Sequence, residues 1–185
     1  MIFVTVGTQL PFDRLISAVD EWAGAAAGRN VFAQIGPARF EPRHIEHARF
    51  ISPQTYSERM RAATAVVAHA GMGTILSALE LGKPLLIVPR RAELGEHRND
   101  HQLATAHRLA DLGRVNVAFD ETGLPEKLDE LCRLMPQPRI SRSASDDLVA
   151  GLRAFILGKP PRPAVAEAAE DSVAVGRPQS STAIR

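Results

Sequence analysis

The sequence predicts an α/β fold, a Rossmann-like parallel sheet with helices packed on it, and two observations carry that prediction. Short Val- and Ile-rich runs of strand length alternate along most of the chain with segments whose apolar residues recur at helical spacing, the pattern of successive βαβ units. Between one such run and the next helix stands a glycine-bearing loop, His69-Ala70-Gly71-Met72-Gly73-Thr74, at the kind of junction where an open parallel sheet keeps its ligand site.

Composition sets the outer limits. The 185 residues suit one compact domain with an appendage, and 45% hydrophobic with 23% charged residues excludes wholesale disorder. Lys and Arg number 22 against 21 Asp and Glu, a net charge of +1, which argues against a nucleic-acid partner. A single cysteine, Cys132, leaves no intramolecular disulfide and no multi-cysteine metal site, so a reducing compartment, the cytoplasm, is expected. The first residues lack the basic leader and long apolar stretch of a secretory signal, and no run approaches the roughly 20 apolar residues that span a bilayer.

The elements follow in order. Ile2 to Val6 reads as the first strand; Pro11 then pre-sets a helical φ, and Phe12, Leu15, Ile16, Val19 and Trp22 predict a helix over 11–23. Val31 to Ile35 is a second strand and Ala48 to Ile51 a weaker, edge-like third. A helix is expected over 53–63, a buried strand over 65–69, and a helix running to Leu81, stopped by Gly82 and Pro84. Leu85 to Val88 is the most strand-like run; a polar loop from Arg90 leads into a helix through Leu112, and Val115 to Phe119 is the last strand. Leu124 to Leu134 and Asp146 to Ile156 read as closing helices, and the Pro-, Ala- and Ser-rich residues 158–185 as a disordered tail behind a domain of residues 1–157.

Three loops would lie beyond the carboxyl ends of the strands: Gly7-Thr8-Gln9, residues 69–74, and residues 90–102. In the second, Gly71 and Gly73 remove side chains where backbone must approach a ligand. Thr74 and the free N–H groups of the following helix suit an anion, and His69 can donate to the same group. The alternatives are a Gly-x-Gly turn that serves tight packing only and a histidine that is satisfied in the core. The loop matches neither the dinucleotide fingerprint nor a P-loop. The third loop is dense in polar groups, which fits either a ligand face or a solvated charge run. Within it Glu93, His97 and His101 can be drawn as metal ligands at helical spacing, but no His-Glu-x-x-His motif accompanies them, and no metal site is expected. No Gly-x-Ser-x-Gly elbow occurs, and Ser77 lies inside a helix.

The string from His69 through Gly82-Lys83-Pro84 to Pro89, with Phe3-Val4-Thr5-Val6-Gly7-Thr8, Gln34-Ile35-Gly36 and Asn99-Asp100-His101-Gln102, resembles the donor-binding half of GT-B glycosyltransferases of the family 28 C-terminal-domain type. It is most similar to the small soluble subunits of two-part transferases. These are the subunit acting on dolichol-linked sugar in eukaryotes and the PssE-like subunits of bacterial exopolysaccharide assembly. The resemblance covers residues 1 to about 130. It implies a chain that forms one half of a GT-B fold and binds a UDP-sugar. His69, Gly71, Gly73 and Thr74 would meet the diphosphate, Gly7 and Thr8 would close over it, and His101 and Gln102, with Asn99 beside them, would hold sugar hydroxyls. Arg90, Arg91 or Arg98 would serve the charge that a metal serves elsewhere, so no cofactor is implied. Where many relatives carry a ribose-binding glutamate, this sequence has Ser77, with Glu80 one turn on.

The function so implied is the donor-binding catalytic subunit of an inverting hexosyltransferase acting on a lipid-linked polysaccharide intermediate in exopolysaccharide or capsule biosynthesis. A membrane-anchored, acceptor-binding partner subunit would recruit it to the inner face of the membrane, and the general base would be His69, His101 or a group of that partner. The other reading of the same residues is a non-catalytic accessory subunit that activates or stabilises a partner transferase.

Overall fold

The computed structural model describes residues 1–113 and 115–141, with positions 143, 149, 150, 153 and 156. The chain divides into two compact units, Met1–Arg142 and Ser143–Arg185. In the second unit the described positions 149, 150, 153 and 156 are helical. The rest of the expected closing helix and the expected tail over 158–185 lie outside the described residues.

The first unit runs β1 (Ile2–Thr5), α1 (Asp13–Gly24), β2 (Val31–Gln34), β3 (Glu46–Ala48), α2 (Pro53–Ala62), β4 (Ala65–His69), α3 (Met72–Glu80), β5 (Leu85–Val88), a 3-10 turn (Ala92–Leu94), α4 (His101–Asp111), β6 (Asn116–Val117) and α5 (Leu124–Leu131). The six strands form one parallel sheet in the order β3-β2-β1-β4-β5-β6, with Phe3 in register with Phe32 on one side and Val66 on the other. This is the Rossmann-like α/β architecture that the alternating pattern predicts.

Strands β1, β2 and β5 are buried at every position, which is why they read as unbroken apolar runs and not as alternating ones. Alternate residues serve different layers. Val4 and Leu86 pack with Leu15, Ile16 and Val19 of α1 and Leu124 and Leu128 of α5. Phe3 and Ile87 pack with Met60 of α2, Ile75 and Ala78 of α3 and Ala106 of α4. A continuous core on both faces leaves the strand ends as the place for chemistry.

Several boundaries differ from the periodicity. Helix α1 begins at Asp13, two residues after Pro11, because the Pro11 carbonyl is taken by Arg90 and the Asp13 carboxylate accepts the backbone N–H groups of Arg39 and Phe40. Strand β3 sits two residues earlier than its apolar run and is an edge strand, as expected, with an exposed Glu46. Strand β6 keeps only Asn116 and Val117 of the predicted five-residue run, since an edge strand pairs on one side only. Helix α5 ends at Leu131. Gly82 stops α3 with φ +65°, and a Cβ there would stand 2.5 Å from the Gln137 carbonyl oxygen, so this glycine also lets the chain after α5 pass close by.

The long β2–β3 connection is organised from α1. The buried Asp20 carboxylate accepts the backbone N–H groups of Arg43, His44 and Ile45. Asp20→Ala leaves these three donors without their acceptor, and the stability measured by urea unfolding is expected to fall by about 2 kcal/mol. An unchanged midpoint would show that water serves the three donors equally well.

Candidate functional site

The chain runs outward from β1 through β2 to the edge strand β3 and then crosses back by way of α2 to β4 on the other side of β1, so the crevice beyond the carboxyl ends of β1 and β4 is the sheet's topological switch point. A cavity of about 260 Å³ lies there, lined by Val6, Thr8, Gln9 and Leu10 after β1, His69 and Gly71 after β4, Arg90 and His97 after β5, and His101 and Gln102 opening α4. Three histidines and an arginine line it, and no carboxylate does among the described residues.

His69 ends β4 and lies in a slot whose walls are glycines. A Cβ on Gly7 would approach its Cε1 to 3.0 Å, and a Cβ on Gly71 would approach its Nε2 to 2.2 Å. Gly7 itself has φ +75°, a second reason for glycine at that position. Burial, together with the neighbouring Arg90 and His97, pushes the His69 pKa from 6.5 down to about 4, while Nδ1 stands 3.5 Å from the Thr5 carbonyl oxygen. A neutral imidazole that donates from Nδ1 to that carbonyl presents the Nε2 lone pair toward Gly71. With the proton on Nδ1, His69 donates to an anion only after gaining a second proton; with the proton on Nε2, the neutral ring can donate as expected.

Helix α3 opens at Met72 with Gly71 as N-cap and no side chain bonded to its first N–H groups. Its first internal bond runs from Ile75 N–H to Gly71, so the N–H groups of Met72, Gly73 and Thr74 point out of the helix end without i−4 partners. A Cβ on Gly73 would meet nothing within 4 Å, so the protein's own packing does not require glycine here. Thr74 is placed differently from the expectation for its hydroxyl: the side chain is buried, and the Tyr56 hydroxyl donates to its Oγ1 at 3.3 Å. Ser77 donates to the Gly73 carbonyl oxygen at 2.8 Å. Ser77 and Glu80 line a separate small cavity between α2 and α3, with Tyr56 and Arg61. They do not join His69.

In the third loop the charges are sorted. Glu96 is buried and sits on Arg14 with two 2.9 Å bonds, its Oε2 also accepting Arg91 N–H; Glu93 pairs with Arg91, and Asp100 accepts Ala92 N–H. The metal arrangement drawn through Glu93, His97 and His101 does not form. The two imidazoles meet edge to face at 4.4 Å, Asn99 Oδ1 bonds His101 Nδ1, and no group of three His, Cys, Asp or Glu among the described residues is placed to hold a metal ion. Gln102 is buried and accepts Arg90 N–H through Oε1, which leaves its NH2 donors for the cavity it lines. Arg98 and Asn99 are exposed and do not line the cavity.

The sequence assigns no donor-site role to Gln9, Leu10, His97, Tyr56 or the Thr5–Gln34 pair beneath Gly7, although Gln9 stands in the first loop and His97 in the metal arrangement that does not form. Thr5 donates to Gln34 Oε1 at 2.7 Å, Gly7 N–H lies 3.4 Å from Thr5 Oγ1, and Gln34 Nε2 lies 3.4 Å from the Gly7 carbonyl oxygen. The available signal was two polar residues closing otherwise apolar strands, since a buried polar side chain needs a partner.

Among the described residues no helix is long and apolar enough to cross a membrane. Residues 1–148 match the glycosyltransferase family 28 C-terminal domain. The chain is 31% identical over 124 residues to the UDP-N-acetylglucosamine transferase subunit ALG13 of Homo sapiens, covering 62% of this chain and 10% of that protein. It is 28% identical over 125 residues to the UDP-N-acetylglucosamine--N-acetylmuramyl-(pentapeptide) pyrophosphoryl-undecaprenol N-acetylglucosamine transferase of Acinetobacter baylyi, covering 62% of this chain and 33% of that one. The chain thus spans a third or less of the length of these relatives. The solution structure of ALG13 superposes with a TM-score of 0.52 at 22% identity, covering 82% of this chain and 93% of that chain, a likeness of fold. With the match extending over residues 1–148, from β1 past α5, the chain belongs to glycosyltransferase family 28 through its C-terminal domain.

Proposed function

We propose that this chain is the donor-binding half of an inverting UDP-sugar hexosyltransferase and that a second, membrane-anchored subunit brings a lipid-linked acceptor to it in exopolysaccharide or capsule assembly. The observation that carries the reading is the bare helix end. Three unpaired N–H groups open α3, Gly73 leaves free space beside them, and the neighbouring cavity is lined by His69, His97, His101 and Arg90. Backbone N–H groups at a helix N-terminus favour a diphosphate. In the transfer the acceptor hydroxyl attacks the anomeric carbon, the bond to the diphosphate breaks, and negative charge grows on the leaving group. Fixed donors already aimed at that charge stabilise it without reorganisation. His101 and Gln102 supply imidazole and amide donors for sugar hydroxyls. The proton of the acceptor goes to His69 Nε2, to His101 or to a group of the partner, and no cofactor takes part. The human relative is by name a transferase subunit, which supports a partner.

Calorimetric titration of the chain with UDP and a panel of UDP-sugars, alone and with the partner subunit, tests the reading. A Cβ at Gly73 meets nothing within 4 Å, so Gly73→Val is expected to leave stability unchanged while UDP affinity falls at least tenfold. No binding of UDP in either preparation, or equal binding by Gly73→Val, would move the assignment to an accessory subunit without a donor site.

A further inference from the structure

Arg90 invites the reading of a phosphate-binding arginine, but its hydrogen bonds point elsewhere. Nη1 donates to the carbonyl oxygens of Pro11 at 2.6 Å and Glu96 at 3.1 Å, and Nη2 to those of Val6 at 2.8 Å and Leu10 at 2.7 Å. The guanidinium stacks over the Phe12 ring at 4.6 Å, and the residue is 2% exposed. Both terminal nitrogens are thus saturated by backbone. The turn they hold contributes Val6, Thr8, Gln9 and Leu10 to the cavity wall. That turn is tied at one end by Thr5 and Gln34 to Gly7 and at the other by Arg90 to Leu10 and Pro11.

We propose that Arg90 is a positioning residue of the donor site: it clamps the Val6–Pro11 turn from beneath and contributes its charge across a short distance, without binding the donor's phosphates itself. The proposal rests on the donor-site reading above. Its four partners are neutral carbonyls, so no group in contact neutralises the charge. Burial pushes the Arg90 pKa down to about 10, a sign of what it takes to keep a cation there. An apolar side chain would fill the space at lower cost, and a lysine could keep the charge but not four bonds in a planar fork. The nearby Glu96 carboxylate does not neutralise the cation by contact, because Arg14 and Arg91 N–H hold it.

Arg90→Lys therefore separates the two contributions, and Arg90→Met removes both. Three quantities are measured on each full chain: backbone order parameters of Thr8–Leu10, the titration midpoint of the His69 imidazole by NMR, and UDP affinity. For Arg90→Lys the order parameters should fall, the His69 midpoint should stay near the wild-type value because a cation remains, and UDP binding should weaken about tenfold. For Arg90→Met the His69 midpoint should rise above that of Arg90→Lys, and because the turn is loosened in both variants, the difference between them reports the lost charge and not the packing. A rigid turn in Arg90→Lys would overturn the clamp, and wild-type UDP affinity with a loosened turn would overturn the positioning role. If the wild type binds no UDP while the turn loosens in Arg90→Lys, the clamp stands and the donor reading falls. Should both variants unfold, the wild type decides: the Arg90 guanidinium N–H signals should hold their shifts as UDP saturates the protein, and a large shift would make Arg90 a phosphate ligand.

Discussion

Gly71→Ala is expected to lower UDP affinity about a hundredfold, roughly 2.7 kcal/mol, and to destabilise the fold by about 2 kcal/mol. The backbone does not demand glycine at this position, since φ −89° and ψ 125° suit any residue. The demand comes from the imidazole, whose Nε2 would stand 2.2 Å from the new Cβ and whose Cε1 already lies against Gly7 on the other side. The ring cannot retreat within the slot, so it must leave, and it takes with it the Nδ1 contact to the Thr5 carbonyl and the cavity wall it forms. A double-mutant cycle isolates the cause. Starting from His69→Ala, where the slot is empty, Gly71→Ala should be nearly neutral in stability, whereas an equal loss in both backgrounds would mean that the glycine serves the backbone and not the ring. Gly73→Val supplies the contrast two residues along, because a ligand and not the protein occupies that space in the proposed reading.

This contrast marks how far the sequence is readable. The sheet, the three loops and the two glycines of residues 69–74 follow from periodicity and punctuation, because an apolar run of four or five residues and a glycine before a helix have few other uses in a soluble chain. What sequence could not supply is the direction in which polar side chains turn. Thr74 stands at the expected helix end, but its hydroxyl receives Tyr56, a residue eighteen positions earlier on another helix. Arg90 stands in the expected loop, but its guanidinium serves carbonyls some eighty positions away in sequence. Ser77 and Glu80 share a side of α3, as helical spacing implies, and that side faces α2 and not the switch point. Each outcome depends on contacts between elements far apart in the chain, which local pattern does not encode.

The electrostatics of the slot carry the second large effect, a loss of stability on the order of 3 kcal/mol between pH 6.5 and pH 4. Burial, with Arg90 and His97 beside it, holds the folded His69 pKa at about 4 against 6.5 in the free side chain. Between these values the unfolded chain carries a proton that the folded chain refuses, so acidification through this window favours unfolding, and the full contribution is present only above pH 6.5. Asp20 acts lower. Burial alone would raise its pKa, but the Arg43 and His44 bonds hold it below the usual carboxylate value, so its contribution disappears only at more acid pH. Urea midpoints of the wild type should therefore fall from pH 6.5 to pH 4, and those of His69→Asn should be much flatter over the same range. Parallel slopes would mean that His69 is not the group responsible. Arg90→Met should also flatten the slope, since it removes the Arg90 charge and the clamp on the turn that lines the cavity. In the proposed reading the Arg90 cation that depresses His69 also favours an anion in the cavity, and a bound diphosphate would oppose that charge and restore the imidazole's affinity for a proton. In the proposed reading a His69 so protonated would donate to the phosphate, and the acceptor's proton would then fall to His101 or to the partner's group.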